Sequence, residues 1–233
     1  MKIIEGGIAA AKGIYAAGLF TGIKNKRKDM ALVYSKVPCK AAGTFTTNLV
    51  KGAPVKYDME MVKLSPYAQA IVVNSGVANT CTGKTGMEYC RQMAEAVSTN
   101  LNIPQDSVLV ASTGIIGKQL PMDKILWGIE NLAPILGNSP EDGTSAAEAI
   151  MTTDTKKKEI AIEFEIGGKT VVMGGMCKGS GMIHPNMCTM LGFITTDISI
   201  SKELLQEALC TNVQDTYNMI SVDGDTSTND TVL

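Results

Sequence analysis

Short apolar runs alternate with turn residues and helical periods along the whole chain, and no internal repeat or low-complexity linker interrupts them. That alternation restricts the fold to a mixed one, α/β or α+β with several strands. Ala31 to Ser35, Gly43 to Thr47 and Ala70 to Asn74 read as strands, and Val108 to Ala111 as a buried strand running into a loop, Ser112 to Gly117. Thr85 to Leu101 sets Met93, Ala94, Val97 and Leu101 at helical spacing. Met122 to Leu136 does the same with Ile125, Ile129, Leu132 and Leu136, and Pro134 ends or kinks that helix. Ser139-Pro140-Glu141 is a helix start, with a capping hydroxyl, proline at the first position and then an acid; that helix runs to Ile150. Ile160 to Ile166 and Thr170 to Met176 flank Gly167-Gly168, which predicts a β-hairpin. Ser201 caps a helix from Lys202 to roughly Asn212, with Leu204, Leu205, Ala208 and Leu209 facing inward. Met219 to Val222 reads as a short strand. Asp230 to Leu233 reads as the beginning of another, and so as part of a longer chain.

Composition removes several classes of function. The chain has 233 residues and 45% hydrophobic content, enough for one large or two modest domains. Lys and Arg (21) balance Asp and Glu (23), aromatics are 5%, and no basic stripe alternates with aromatics, which argues against nucleic-acid binding. The basic run Lys24 to Lys28 reads as a solvated turn. No stretch approaches the ~20 apolar residues of a membrane span. The first twenty residues loosely resemble a signal peptide, but Glu5 and Lys12 interrupt them, so the expected location is cytoplasmic. None of the six cysteines forms C-x-x-C and His184 is the single histidine, so no metal site is expected and the thiols read as reduced and mostly buried. Asp223-Gly224-Asp225 and Asp230 do not meet the calcium-loop pattern.

The chemistry concentrates in Lys178 to Asp197, KGSGMIHPNMCTMLGFITTD. With one histidine in the chain, the Ser-His-Asp route to acyl transfer is nearly closed. A threonine that frees its own α-amine needs no histidine. Thr189 follows a small residue, Cys188, and Gly179, Gly181 and Pro185 can set a strained turn before it. Attack of the Thr189 hydroxyl on the Cys188 carbonyl gives an ester whose hydrolysis leaves Thr189 as a new N-terminus. An α-amine has a reference pKa of ~7.7–8.0, suited to accept a proton near neutrality. Pairing of His184 with Cys188 or Thr189 is the weaker arrangement, because residues four or five apart in a proline-containing loop need not face one another. The bland reading of Thr189 is a structural threonine.

Acyl transfer also needs donors for an oxyanion. Ser112-Thr113-Gly114, after a buried strand, offers a hydroxyl and an approachable backbone N–H; its plain reading is a turn. Asn74-Ser75-Gly76 and Thr46-Thr47-Asn48 are similar strand ends of lower rank. Lys178 could hold a substrate carboxylate, or be a surface lysine. Thr152 to Thr155 could bind amino-acid groups, or terminate the preceding helix.

These residues together resemble a family. KGSGMIHPNMCTML is similar to the cleavage and nucleophile motif of the glutamate N-acetyltransferase/ornithine acetyltransferase family of arginine biosynthesis. GGIAAAKGIYAAGLFTGIK, AGTFTTN, NSGVANTCTG, ASTGIIG, MTTDT and VDGDTSTNDT resemble further family motifs, in the same order over essentially the whole chain. The resemblance implies a layered sheet–helix sandwich of the ornithine acetyltransferase/DmpA-like type with an N-terminal-nucleophile-like active site. It implies self-cleavage into an α chain, 1–188, and a β chain from Thr189, and a heterotetramer of two of each. It implies acetyl transfer from N-acetylornithine to glutamate through acetyl-Thr189, with acetyl-CoA a donor in some members and no cofactor. It assigns Thr113 and Gly114 to the oxyanion hole and Thr152, Lys178 and Thr189 to substrate contact. Family members usually carry alanine where this chain has Cys188, and their β chain is longer, with a further substrate-binding glutamate and C-terminal contacts. Two other readings stay open from the residues: an N-terminal-nucleophile amidase or aminopeptidase in which water completes the reaction, and an inactive truncated homologue.

Overall fold

The structure, a computed structural model, describes residues 1–183 and 190–233. In chain order the elements are β1 (Lys2–Ile4), β2 (Ile14–Leu19), β3 (Met30–Cys39), β4 (Thr44–Phe45), α1 (Ala53–Leu64), β5 (Ala68–Val77), α2 (Gly83–Leu101) and β6 (Val108–Ile115). There follow α3 (Met122–Leu132), α4 (Pro140–Ala149), β7 (Lys158–Ile166), β8 (Lys169–Lys178), β9 (Leu191–Thr196), α5 (Lys202–Gln214) and β10 (Thr231–Val232). Two sheets form: β2-β3-β5-β6, and β1-β7-β8-β9-β10-β4.

The four-stranded sheet is buried on both faces, and the period-two rule sorts its side chains. Met30, Leu32, Val72, Val108 and Val110 pack with Cys90, Met93 and Val97 of α2 and Ile125 and Ile129 of α3. Their neighbours Ala31, Val33, Val73, Leu109 and Ala111 face the other way, into a second core with Met176, Leu191 and Phe193 of the six-stranded sheet and Ala146, Ala147 and Ile150 from α4 and its end. The result is the layered sheet–helix sandwich. Full burial of one such aliphatic side chain is worth about 1.5–3 kcal/mol.

Within the four-stranded sheet β2, β3 and β5 are antiparallel, whereas β5 and β6 run parallel through the α2 crossover. Their C-terminal ends therefore lie side by side, with Asn74 opposite Ser112, Ser75 opposite Thr113 and Gly76 opposite Gly114. β6 is an edge strand, and α1 covers that edge chemically. Asp58, fully buried, accepts the Val110 N–H at 2.8 Å. Burial pushes its carboxyl well above the usual range, against that hydrogen bond.

The hairpin forms as the glycine pair predicts, with Gly167 and Gly168 both at positive φ (57° and 74°) between Ile166 and Lys169. Ser139 accepts the Asp142 N–H at 3.2 Å and Asp142 accepts the Ser139 N–H at 2.9 Å, a reciprocal cap on α4. Ser201 caps α5 on the Leu204 N–H. Thr231 pairs with Leu191 and Phe45, so the expected strand at the end of the chain is present.

Other expectations are corrected. The segment read as a loop from Ser112 continues as strand to Ile115, because the parallel ladder with β5 persists through an irregularity at Gly76 and Val77. The strand read over Gly43 to Thr47 shortens to Thr44–Phe45. Met219 to Val222 is not a strand: a 3-10 turn spans Tyr217–Met219, and the stretch is too exposed to join a sheet. Leu204 is 54% exposed and faces outward. Among the described cysteines only Cys90 is buried; Cys81 and Cys210 are exposed, so the thiols are not mostly buried. No helix of the described residues is long and apolar enough to cross a membrane.

Candidate active site

The paired ends of β5 and β6 make a close backbone approach that only glycine permits. Gly114 has φ +132°, and a Cβ there would sit 2.3 Å from the carbonyl carbon of Gly76. Gly76 itself has φ +112°. Side chains fix this corner. Ser112 donates to Asn74 Oδ1 at 2.6 Å, and Asn74 donates to the Val77 carbonyl at 2.8 Å. Asn229, from the far end of the sequence, donates to the Ala78 and Ser112 carbonyls at 2.6 and 2.9 Å. It accepts from the Thr80 and Thr228 hydroxyls.

Lys178, the last residue of β8, reaches this corner from the other sheet. It is 2% exposed, which overturns the surface-lysine reading, and its Nζ donates to Thr113 Oγ1 at 3.3 Å. Burial lowers the Lys178 pKa, while Asp154 and Asp230 pull it back up. No carboxylate of the described residues forms an ion pair with it. A buried ammonium whose hydrogen bond among the described residues goes to a hydroxyl is an anion-seeking group.

Thr152 joins the site through its neighbour. Asp154 Oδ2 accepts the Thr152 N–H at 3.2 Å, and Oδ1 accepts Gly179 N–H at 2.8 Å and Lys158 Nζ at 2.6 Å. Burial pushes the Asp154 carboxyl up, but Lys158 and the two amides outweigh it and hold the carboxyl below the usual range. Asp154 thus ties the turn after α4 to the residue after Lys178. The basic run is not a solvated turn as a whole: Lys24 Nζ donates to the Met151 carbonyl at 2.8 Å, and Arg27 to the Asp154 carbonyl at 3.4 Å. Burial, against the attraction of Asp29, lowers the Lys24 pKa to about 8.

His184, Cys188 and Thr189 lie outside the described residues. The residues on either side are described. Asp223 accepts the Met182 and Ile183 N–H groups at 2.5 and 2.8 Å. Asp230, fully buried, accepts the Met190 N–H at 3.0 Å. Burial pushes the Asp230 carboxyl up to about 8, against the Met190 amide, the neighbouring Ser227 and Thr46 hydroxyls and the Lys178 charge.

Thr113, Gly114 and Lys178 are therefore brought together directly, and Thr152 through Asp154. The lower-ranked strand ends belong to the same region: Asn74 to Gly76 line up with Ser112 to Gly114, and Thr46 donates its N–H to the Asp230 carbonyl. Sequence reasoning gave Asn229, Asp230 and Lys24 no part in the site, although the first two lie in the family-like stretch VDGDTSTNDT. The signal was there for the first two, in the dense polar stretch TSTND, which is too rich in hydrogen-bonding groups for an idle connection. Among the described residues no group of three His, Cys, Asp or Glu could hold a metal ion. A separate apolar cavity of about 540 Å³ is lined by Leu109, Ile194, Leu209 and Leu233 among others, and none of Thr113, Gly114, Thr152 or Lys178 borders it.

A model of the ArgJ family matches residues 15–233. The arginine biosynthesis bifunctional protein ArgJ of Thermotoga neapolitana is 55% identical over 223 residues, covering 95% of this chain and 55% of its own length. The chain thus spans little more than half the length of such relatives. Among solved structures, ArgJ of Bacillus halodurans superposes with a TM-score of 0.75 at 41% identity, covering 82% of this chain and 98% of its own. An ornithine acetyltransferase of Mycobacterium tuberculosis, solved with ornithine, gives 0.73 at 35% identity, covering 82% and 99%.

Proposed function

The chain belongs to the ArgJ family, and on that premise we propose that it is the catalytic part of a self-processing acetyltransferase of arginine biosynthesis. It moves acetyl from N-acetylornithine to glutamate through acetyl-Thr189. The observation that carries the reading is the meeting of Lys178, Thr113 and the glycine corner at the ends of three strands, where Lys178 pairs with Leu191, two residues after Thr189.

Thr189 first attacks the Cys188 carbonyl, and hydrolysis of the resulting ester divides the chain into 1–188 and a part beginning at Thr189. The share of this chain that the two solved relatives cover, 82% in each case, is close to the 81% that residues 1–188 make of 233.

In transfer, the freed α-amine of Thr189 takes the proton from its own hydroxyl as the oxygen attacks the acetyl carbonyl of N-acetylornithine. The amine returns the proton to the departing ornithine nitrogen. Glutamate then attacks the acetyl ester through its amino group and leaves as N-acetylglutamate, regenerating the hydroxyl. The developing oxyanion takes donors from the Thr113 hydroxyl and the Gly114 N–H. Lys178 has a specific part here. Its ammonium occupies a lone pair of Thr113 Oγ1, which polarises the hydroxyl and leaves its proton to donate. Thr152, Lys178 and Thr189 contact substrate, and the carboxylates of both amino acids suit the buried Lys178 charge. Acetyl-CoA is a second donor to test, and no cofactor is required. The assembly is a cytoplasmic one of two α and two β chains.

The test is release of product from the full-length protein with N-acetylornithine, with and without glutamate. Ornithine release with N-acetylglutamate formation is expected, and it should vanish in Thr189→Ala while Thr189→Ser keeps part of it. Free acetate appearing at the same rate without glutamate would identify a hydrolase and overturn the transferase reading.

A further inference from the structure

We propose that Asp230 is a positioning residue for the nucleophile, acting through its hydrogen bond to the Met190 amide; the inference rests on the reading of Thr189 given above. Asp230 is fully buried, and its Oδ1 accepts the Met190 N–H at 3.0 Å. That N–H belongs to the peptide bond joining Met190 to Thr189. The Met190 carbonyl is held as well, by the Thr231 N–H at 3.0 Å. Leu191 then enters the ladders with Lys178 on one side and Thr231 on the other. Residue 190 is thus pinned on both faces of its backbone just before the regular pairing begins.

One further contact ties Asp230 to the site: its own carbonyl accepts the Thr46 N–H at 3.0 Å. Its carboxyl and the Lys178 ammonium also feel each other's charge. Its second carboxylate oxygen is buried with no hydrogen-bond partner among the described residues. A buried carboxylate so placed is costly, and a hydroxyl or a backbone contact would anchor an amide at less expense. Its place against the Met190 amide fits a group that fixes one peptide.

The consequence differs between the two reactions. In the intact chain Thr189 is tethered on both sides. Once cut, its only covalent tether is Met190, the residue whose amide Asp230 holds. Loss of the anchor therefore harms acetyl transfer more than cleavage.

The experiment uses the full-length protein with Asp230→Ala, Asp230→Asn and Asp230→Leu, scoring cleavage by intact mass and transfer by kcat and KM with N-acetylornithine and glutamate. Asp230→Ala should cut to completion yet lose ~100-fold in kcat with KM within about threefold, the cost expected of a nucleophile displaced by about an ångström. Asp230→Asn keeps an oxygen to accept the Met190 N–H and should stay within about fivefold of the parent kcat. Should the alanine variant not fold, Asp230→Leu, which fills the space without an acceptor, carries the same expectation, and the asparagine arm stands by itself. A folded alanine or leucine variant with parental kcat overturns the proposal, as does an asparagine variant as impaired as alanine. A parent protein that neither cuts nor transfers instead overturns the functional reading on which the proposal rests.

Discussion

Upstream of residue 184 the chain is held by Asp223, an exposed carboxylate that accepts two successive amides, Met182 and Ile183. Downstream of residue 189 it is held by Asp230, a buried carboxylate that accepts one, Met190. The same side chain does the same job in opposite surroundings. On the exposed side the amide hydrogen bonds, chiefly that of Met182, hold the Asp223 carboxyl below the usual range, so it stays ionised and water can take its place. On the buried side desolvation raises Asp230 to about 8, against the pull of the Met190 amide and the Lys178 charge. The replaceable clamp sits on the flank that self-cleavage would turn into a tail. The costly one sits on the flank that would carry the nucleophile.

The comparison breaks most visibly at Lys178. Lys178→Met keeps most of the volume and removes the charge that polarises Thr113. Transfer kcat/KM should fall by ~10²–10³, the usual loss on removing an oxyanion-type contact. Parental activity in the folded variant would remove Lys178 from the site.

A smaller effect separates the two aspartates by pH. Asp230 binds its proton more tightly in the folded state than in the unfolded, so its ionisation penalises the fold as pH rises from about 4 through about 8. Asp230→Asn abolishes that penalty. Its Tm should exceed the parent's above pH 8, by roughly 1–3 kcal/mol of stability after allowance for relaxation around a buried charge, and the gain should fade towards pH 4. A Tm difference independent of pH would refute a buried, titrating Asp230. Smallest is Asp223→Ala. It should speed hydrogen exchange at Met182 and Ile183, leave Met190 protected and leave Tm essentially unchanged, because exposed hydrogen bonds contribute little. Equal loss of protection on both flanks would show one cooperative unit instead of two unlike anchors.

What was legible in the sequence was local. The Gly167-Gly168 turn, the Ser139 and Ser201 caps and the apolar face of α2 are written in neighbouring residues, and all of them form. The strand ends at Thr113 and Gly114 stood out because polar residues follow a buried run. What was not legible depends on distant partners. Asn229 acts on carbonyls 117 and 151 residues away, and Lys24 on one 127 residues away. α1 was unread because Pro54 in its first turn and a weak apolar stripe hide it; its buried side includes the charged Asp58. For Lys178 the sequence left the substrate-holding and surface readings side by side, because burial of a charge is decided by the sheet it lands on, not by its neighbours in sequence.

The central claim is that Thr189 cuts its own chain and then carries acetyl. Intact mass of the full-length protein after N-acetylornithine, without glutamate, tests it most directly. The account predicts a fragment beginning at Thr189 that is heavier by one acetyl group and loses it when glutamate is added. An uncut chain, or a cut chain that never gains acetyl on that fragment, would contradict it.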